Sequence, residues 1–414
     1  MLGIGERYLL GYDISTEYAQ ISRFGEDDET PVTVSMTSGS EDYNIPACLF
    51  KREDVNQWYY GREAVNFSEV ESGELVDHLW ERALVGEKVK VVDEEFDPVA
   101  LLTLFVKRSL TLIKNYKPDK VAGIMFTVPE LTRRAIEVLE TVAEALGFSD
   151  TKVSFEGREE SIFYYVIHQP AQLWLHDVLV YDFSGREIKG YRFYINRNAV
   201  PCVAFVEGED SRIFREDDDK DKKFLEVVKK DTGERLVSLG YLIGPGFDDK
   251  WSNESLRELC RNRRAFKGNN LYSKGACYAI RAKMTEPDMR GSLIFLGKDK
   301  LKVNVGMQLK RVNEESYFAI LDGGDNWYDA KKEFDVILES GNNFEITLTP
   351  LDGKNVRSID VVLDGLTQRE PKTTRLHLKF FMESDDTLRI CVTDMGFGDI
   401  SPTTYQLFTK QIKI

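Results

Sequence analysis

Two five-residue phrases hold the residues best suited to chemistry: Tyr12-Asp13-Ile14-Ser15-Thr16 and Tyr181-Asp182-Phe183-Ser184-Gly185. Each places a carboxylate beside hydroxyl groups in what reads as a short turn. Turn amides carry positive partial charge and hard cations take oxygen ligands, so such a turn suits phosphate oxygens and a magnesium ion. Asp13 and Asp182 are then the candidate metal ligands, and Ser15, Thr16, Ser184 and Gly185 the candidate phosphate contacts. The plainer alternative is a pair of surface hairpins that share letters by chance.

The flanking residues favour hairpins that position something. Apolar runs at 8–10 and 178–180 precede the phrases, and alternating runs at 18–24 and 190–195 follow them, the period-two pattern of β-strands. Between the hairpins, residues 121–128 read as a strand stopped by Pro129, and 131–146 as a helix with Gly147 just past its end. Residues 154–161 lead into a second helical pattern ending near His168. After the second hairpin come an amphipathic stretch at 222–232, a strand at 236–243 and the turn Gly244-Pro245-Gly246-Phe247.

This order of elements resembles the actin-like ATPase superfamily, and within it most closely the 70-kilodalton heat-shock chaperones. The resemblance implies an α/β fold: a two-lobed actin-like ATPase domain with a duplicated ribonuclease-H-like core, followed by an all-β sandwich similar to a chaperone peptide-binding domain. It implies domains at 1–290, with a lobe insert at 42–117, a linker at 291–299, and a β-domain at 300–414. It also implies a catalytic set of Asp13, Glu159 and Asp182, with Glu159 standing where the family orients the attacking water. Gly244 and Gly246 fall in the family's adenosine turn, and Gly275-Ala276 in the helix that closes the core. ATP or ADP with magnesium is the implied cofactor.

The departures are chemical. Ser15 and Ser184 stand where the family has glycines that let phosphate approach the backbone. Lys189 replaces a second aspartate beside the metal and would repel magnesium. Val65 replaces the catalytic lysine, and the segment that clamps the nucleotide base is missing. Phosphoryl transfer depends on such charge-stabilising groups, so weak or absent hydrolysis is expected. A basic cluster at 260–275 offers Arg263 and Arg264, with Phe266 and Tyr272, as a substitute phosphate or base contact; its plainer reading is a solvated loop.

Composition bounds the rest. With 42% apolar residues over 414 positions, the chain can bury two or three cores. A formal charge of −15 argues against nonspecific nucleic-acid binding. Five cysteines without a Cys-x-x-Cys pair and four scattered histidines suggest no zinc site, and the cysteines read as small buried apolar residues. No apolar run reaches membrane-spanning length and residues 1–7 lack signal-peptide character, so no membrane insertion and a cytoplasmic location are expected.

The insert reads as a strand at 43–50 and a helix at 97–115, capped by Asp97 with Pro98 in its first turn. The charged run 215–223 reads as an exposed loop. Beyond residue 291, short alternating runs at 301–305, 317–321, 334–338, 344–348, 359–363, 376–380 and 388–392 indicate an all-β domain. Residues 388–394 and 410–414 resemble the ending of the chaperone sandwich, without its helical lid. Residues 293–296 fit either the family's docking linker or an ordinary first strand. A peptide or protein partner would bind the β-domain by strand pairing and side-chain pockets. Two functions follow: a degenerate chaperone-like nucleotide-responsive protein, or a nucleotide-independent pseudo-ATPase scaffold.

Overall fold

The strands that carry the two phrases are buried on both faces, as central strands covered on each side must be. The computed structural model describes residues 7–414 apart from 38, 54, 149–150, 199–201, 210, 234, 269, 286–292, 312–313 and 352. It divides into two units, Met1–Phe295 and Leu296–Ile414. The first is mixed α/β and the second all-β.

The first unit begins with β1 (Tyr8–Ile14), β2 (Tyr18–Gly25) and the short β3 (Val32–Thr33) as an antiparallel meander. A segment of short strands follows with helices α1 (Gly61–Ser68) and α2 (Leu79–Val85). Next is α3 (Pro98–Leu110), where Asp97 Oδ1 accepts from the Ala100 amide at 2.9 Å and Pro98 occupies the first turn. Then come β4 (Val121–Val128), α4 (Arg133–Ala145), β5 (Lys152–Gly157) and α5 (Arg158–Ile167). The sheet runs β5-β4-β1-β2-β3, with the first three strands parallel.

The second half repeats this plan. Strands β6 (Asp177–Ser184), β7 (Glu187–Asn196) and β8 (Cys202–Gly208) form the meander, followed by α6 (Lys220–Gly233), β9 (Val237–Ile243), α7 (Glu254–Leu259), β10 (Arg264–Lys267) and α8 (Leu271–Met284). Its sheet runs β10-β9-β6-β7-β8, again with the first three strands parallel. The equivalence extends to register: Asp13 pairs with Thr127 on β4, and Asp182 with Ile243 on β9, each the sixth pairing along its strand. Both ladders also shift register after their first residue.

Helices α5 and α8 hold the halves together. A Cβ on Gly275 would drive into the Ser161 carbonyl of α5, and one on Gly11 into the Ser273 carbonyl of α8, so both glycines are set by backbone approach. Around this seam lie Ile162, Val166, Ala276 and Ile280, all essentially inaccessible. Each large apolar side chain so buried contributes roughly 1.5–3 kcal/mol.

Residues 293–296 resolve in favour of a strand. Leu293–Phe295 forms β11, which pairs in parallel with β8 at the edge of the second sheet. The joint placed at 290/291 and residues 291–292 of the expected linker lie outside the described residues, as do residues 1–6. The charged run is a loop only in part, because α6 starts at Lys220. The cysteine expectation holds for Cys48 and Cys277 alone; Cys260 is exposed, and Cys202 and Cys391 are half-buried. Among the described residues no helix is long and apolar enough to cross a membrane.

The second unit comprises β12 (Val303–Arg311), β13 (Glu314–Leu321), β14 (Lys331–Leu338), β15 (Asn343–Pro350), β16 (Arg357–Val362), β17 (Thr374–Ser384), β18 (Thr387–Gly396) and β19 (Leu407–Lys413). They form two four-stranded antiparallel sheets, β13-β12-β15-β16 and β14-β17-β18-β19. Alternate residues Leu376, Leu378, Phe380 and Met382 of β17 are fully buried, which gives that sheet one apolar face.

Candidate functional site

The shared register of β1 and β6 sets Asp13 and Asp182 at equivalent points just before their turns, and the halves bring those turns together. A Cβ on Gly185 would lie 3.1 Å from Glu17 Oε1 of the opposite turn, and the Tyr18 phenol hydrogen-bonds the Ser184 side chain. The two phrases therefore face each other.

Between the carboxylates lies a residue that the motif reading passed over. Arg158, the first residue of α5, places Nη1 3.0 Å from Asp182 Oδ2 and Nε 3.5 Å from Asp13 Oδ1. Its guanidinium carbon sits 4.4 Å from the centre of the Tyr272 ring, and the Tyr272 hydroxyl donates to Asp182 Oδ2 at 2.9 Å. All four groups are buried. A helix N-terminus repels a cation, so the two aspartates, not the helix, account for the position of Arg158. Among the described residues neither Asp13 oxygen accepts a hydrogen bond, and the ion pair with Arg158 is its compensation.

The electrostatics follow from burial. Burial pushes the Asp13 carboxyl up to about 6 against the pull of Arg158, with Asp182 adding to the rise. Burial alone would lower Arg158, but Asp13, Tyr272 and Asp182 together hold it well above its ordinary value. Burial and the charge of Asp182 likewise raise the Tyr272 phenol well above its usual range. A magnesium ion between Asp13 and Asp182 would have to share the space with a guanidinium already paired to both, and like charges at that range repel strongly. The residues present do not fit that ion. Among the described residues no group of three or more His, Cys, Asp or Glu is placed to hold a metal.

The turn hydroxyls are also engaged within the protein. Ser15 Oγ donates to the Tyr18 carbonyl at 2.9 Å, Ser184 Oγ to Asp182 Oδ1 at 2.8 Å, and Thr16 Oγ1 to Glu81 of α2. Gly244 and Gly246 have packing reasons to be glycine. Gly244 has φ +91°, and a Cβ there would crowd the Phe183 carbonyl and lie 2.8 Å from Asp182 Oδ1. A Cβ on Gly246 would enter the Phe183 ring. The turn is roofed by its own aromatics: Trp251 donates from Nε1 to the Gly246 carbonyl at 2.7 Å and stacks on Phe247 with centroids 5.6 Å apart.

The other candidates lie elsewhere. Glu159 is half-buried in the first turn of α5, and its charge acts on the Tyr191 phenol. Arg264 opens the edge strand β10, Arg263 immediately precedes it, and neither lines the cleft between the turns. Val65 packs with Cys48, Phe50 and Ala64 in the insert. Lys189 does reach the cleft.

That cleft has a volume of about 400 Å³, the scale of a small-molecule site. Trp80 and Leu84 of α2, with Pro129, supply its apolar wall. Its charged lining is Glu17, Glu81, Glu130, Asp182 and Glu187 against Arg158 and Lys189, five carboxylates to two cations, an excess of three negative charges. Sequence reasoning missed Trp80 and Glu81 because α2 carries no motif, and Glu130 because it sits in the turn that follows β4 beside the strand-ending Pro129. The one available signal for Arg158 was that two buried carboxylates without a metal require a cation from the chain.

A model described as the C-terminal part of a family of unknown function, DUF5716, matches residues 30–298. A second, described as a domain of unknown function, DUF8552, matches residues 300–414. No curated protein matches the chain.

Proposed function

The chain belongs to the DUF5716 family, and we propose that it is an actin-like pseudo-ATPase scaffold: two lobes latched by Arg158, followed by a β-unit that holds a peptide or protein partner. The repeated strand order and the matched positions of Asp13 and Asp182 support the actin-like reading. The latch is the observation that carries the scaffold reading. Its guanidinium supplies internally the positive charge that a magnesium ion would otherwise bring to the two aspartates. The cleft, richer in carboxylates than cations, opposes a triphosphate further.

For the β-unit, the edge strands β13, β16, β14 and β19 each leave one side unpaired within their sheets, which suits recognition by strand addition. Calorimetric titration of the whole chain with ATP and ADP, with and without magnesium, tests the reading. No saturable heat is expected. Saturable binding that disappears in Asp13→Ala would return the protein to the nucleotide-responsive, chaperone-like class.

A further inference from the structure

The cleft leaves the basic segment 260–268 unused. That segment holds Arg261, Arg263, Arg264 and Lys267 and no carboxylate, in a chain of formal charge −15. None of the four cations lines the cleft. In the fold, residues 264–267 are not a solvated loop but β10, the terminal strand of the second sheet. The Gly268 amide donates to the Leu242 carbonyl on β9 at 3.1 Å, so the alternation of a parallel ladder turns the amides of Ala265 and Lys267 away from β9. Among the described residues no further strand pairs with that outer side. Arg264 is exposed and forms no ion pair with a described residue. Phe266, on the same face of the strand, is 42% exposed beside Tyr241, with ring centroids 6.0 Å apart. Arg261 meets Glu258 at 3.8 Å and Lys267 meets Asp248 at 3.7 Å, loose surface pairs that another carboxylate replaces at little cost.

We propose that β10 docks an extended acidic segment of a partner protein. The segment adds a strand along the outward amides, sets carboxylates among Arg261, Arg264 and Lys267, and lays an apolar side chain against Phe266. Charge selects this occupant. A second copy of β10 laid along the edge would set cations against cations, which destabilises a strand pair. A nucleic acid meets the arginines but brings a long run of phosphates against a chain of net charge −15. A short acidic strand satisfies the amides, the cationic side chains and the exposed ring together. The edge belongs to the first unit, and its role is independent of how Asp13 and Asp182 are bridged.

The test is fluorescence polarisation of a labelled heptapeptide alternating glutamate and valine against the full chain. Its lysine–valine counterpart, the same acidic peptide N-methylated throughout, and a thymidine oligonucleotide are the comparison probes. The acidic peptide is expected to saturate and each comparison probe to bind at least about tenfold more weakly. Added salt should weaken the acidic peptide. Arg264→Glu should weaken it at least about tenfold with an unchanged melting temperature, whereas Lys114→Glu, the same charge change at an exposed residue after α3, should alter affinity less than about twofold. Silence toward the acidic peptide overturns the proposal, as does equal binding of any comparison probe. Equal losses in both variants also overturn it, by reducing the attraction to the field of the whole chain. Binding untouched by Arg264→Glu overturns it while leaving the β-unit reading standing. Sedimentation that shows dimers of the chain dispersed by Arg264→Glu would give the edge to a second copy and overturn the choice of partner.

Discussion

Replacing Arg158 with methionine keeps the volume and removes the charge, leaving Asp13 and Asp182 to face each other in a buried site. Removing one partner of a buried ion pair costs about 3–5 kcal/mol. For a unit of this size that is a fall in melting temperature of roughly 10 °C. The pH dependence makes the prediction specific. In the wild type the folded Asp13 holds its proton up to about 6, above its ordinary 3.8. That gap is worth roughly 3 kcal/mol. A carboxyl with a raised folded value contributes fully below its unfolded value and loses that contribution as pH rises through the folded one. Without Arg158 the folded value climbs further, so the penalty of the variant should be clearly larger at about pH 8 than at about pH 5. Adding Asp13→Asn should recover at least ~1 kcal/mol, because the two sites are in direct contact. Differential scanning calorimetry on the whole chain, following the transition of the first unit, gives the comparison. A loss below ~1 kcal/mol, or one independent of pH, would refute the latch.

Three further predictions use the same physics. Arg369 pairs with both oxygens of Asp394 at 2.7 Å. Arg369→Met should therefore destabilise the β-unit alone by about 3 kcal/mol, measurable as a shift in its own unfolding transition. Asp394 is held below the usual carboxylate range chiefly by Arg369, so its stabilisation is present above the unfolded value and lost as pH falls. Gly275→Ala should cost ~1–3 kcal/mol or more by forcing α5 and α8 apart, read by urea denaturation. Glu156, buried beside Glu160, has its carboxyl pushed up to about 8 by burial first and Glu160 second. Glu156→Gln can keep the acceptor for Thr127 and Ser161 and removes an ionisation whose cost grows as pH rises through 8. Its stability relative to wild type should increase by on the order of 2 kcal/mol between about pH 5 and about pH 9.

Much of the scaffold was legible because local signals agreed. The alternation around the two phrases, the Asp97-Pro98 helix start and the strand ending at Pro129 each specify an element without tertiary help. The β-unit was legible for the same reason, although its strands begin earlier or run longer than their apolar cores suggest: β17 spans Thr374–Ser384 where the pattern marks 376–380. The site was less legible. Nothing in Gly157-Arg158-Glu159 distinguishes a buried cation from an exposed one, and a motif reading naturally settles on the neighbouring glutamate. Gly244 and Gly246 read as ligand contacts because a glycine needed for a ligand and one needed beside Phe183 look alike in sequence. The contribution of α2 to the cleft depends on Thr16 meeting Glu81 across 65 residues, and no local pattern encodes that.

The central claim is that a guanidinium, and not a metal, bridges the two turns. A crystal structure of the full chain grown with excess magnesium and a non-hydrolysable ATP analogue tests it most directly. Density for Arg158 is expected between Asp13 and Asp182, with no phosphate between the turns. A magnesium ion held by the two aspartates, with the Arg158 side chain swung aside and the analogue bound, would contradict it.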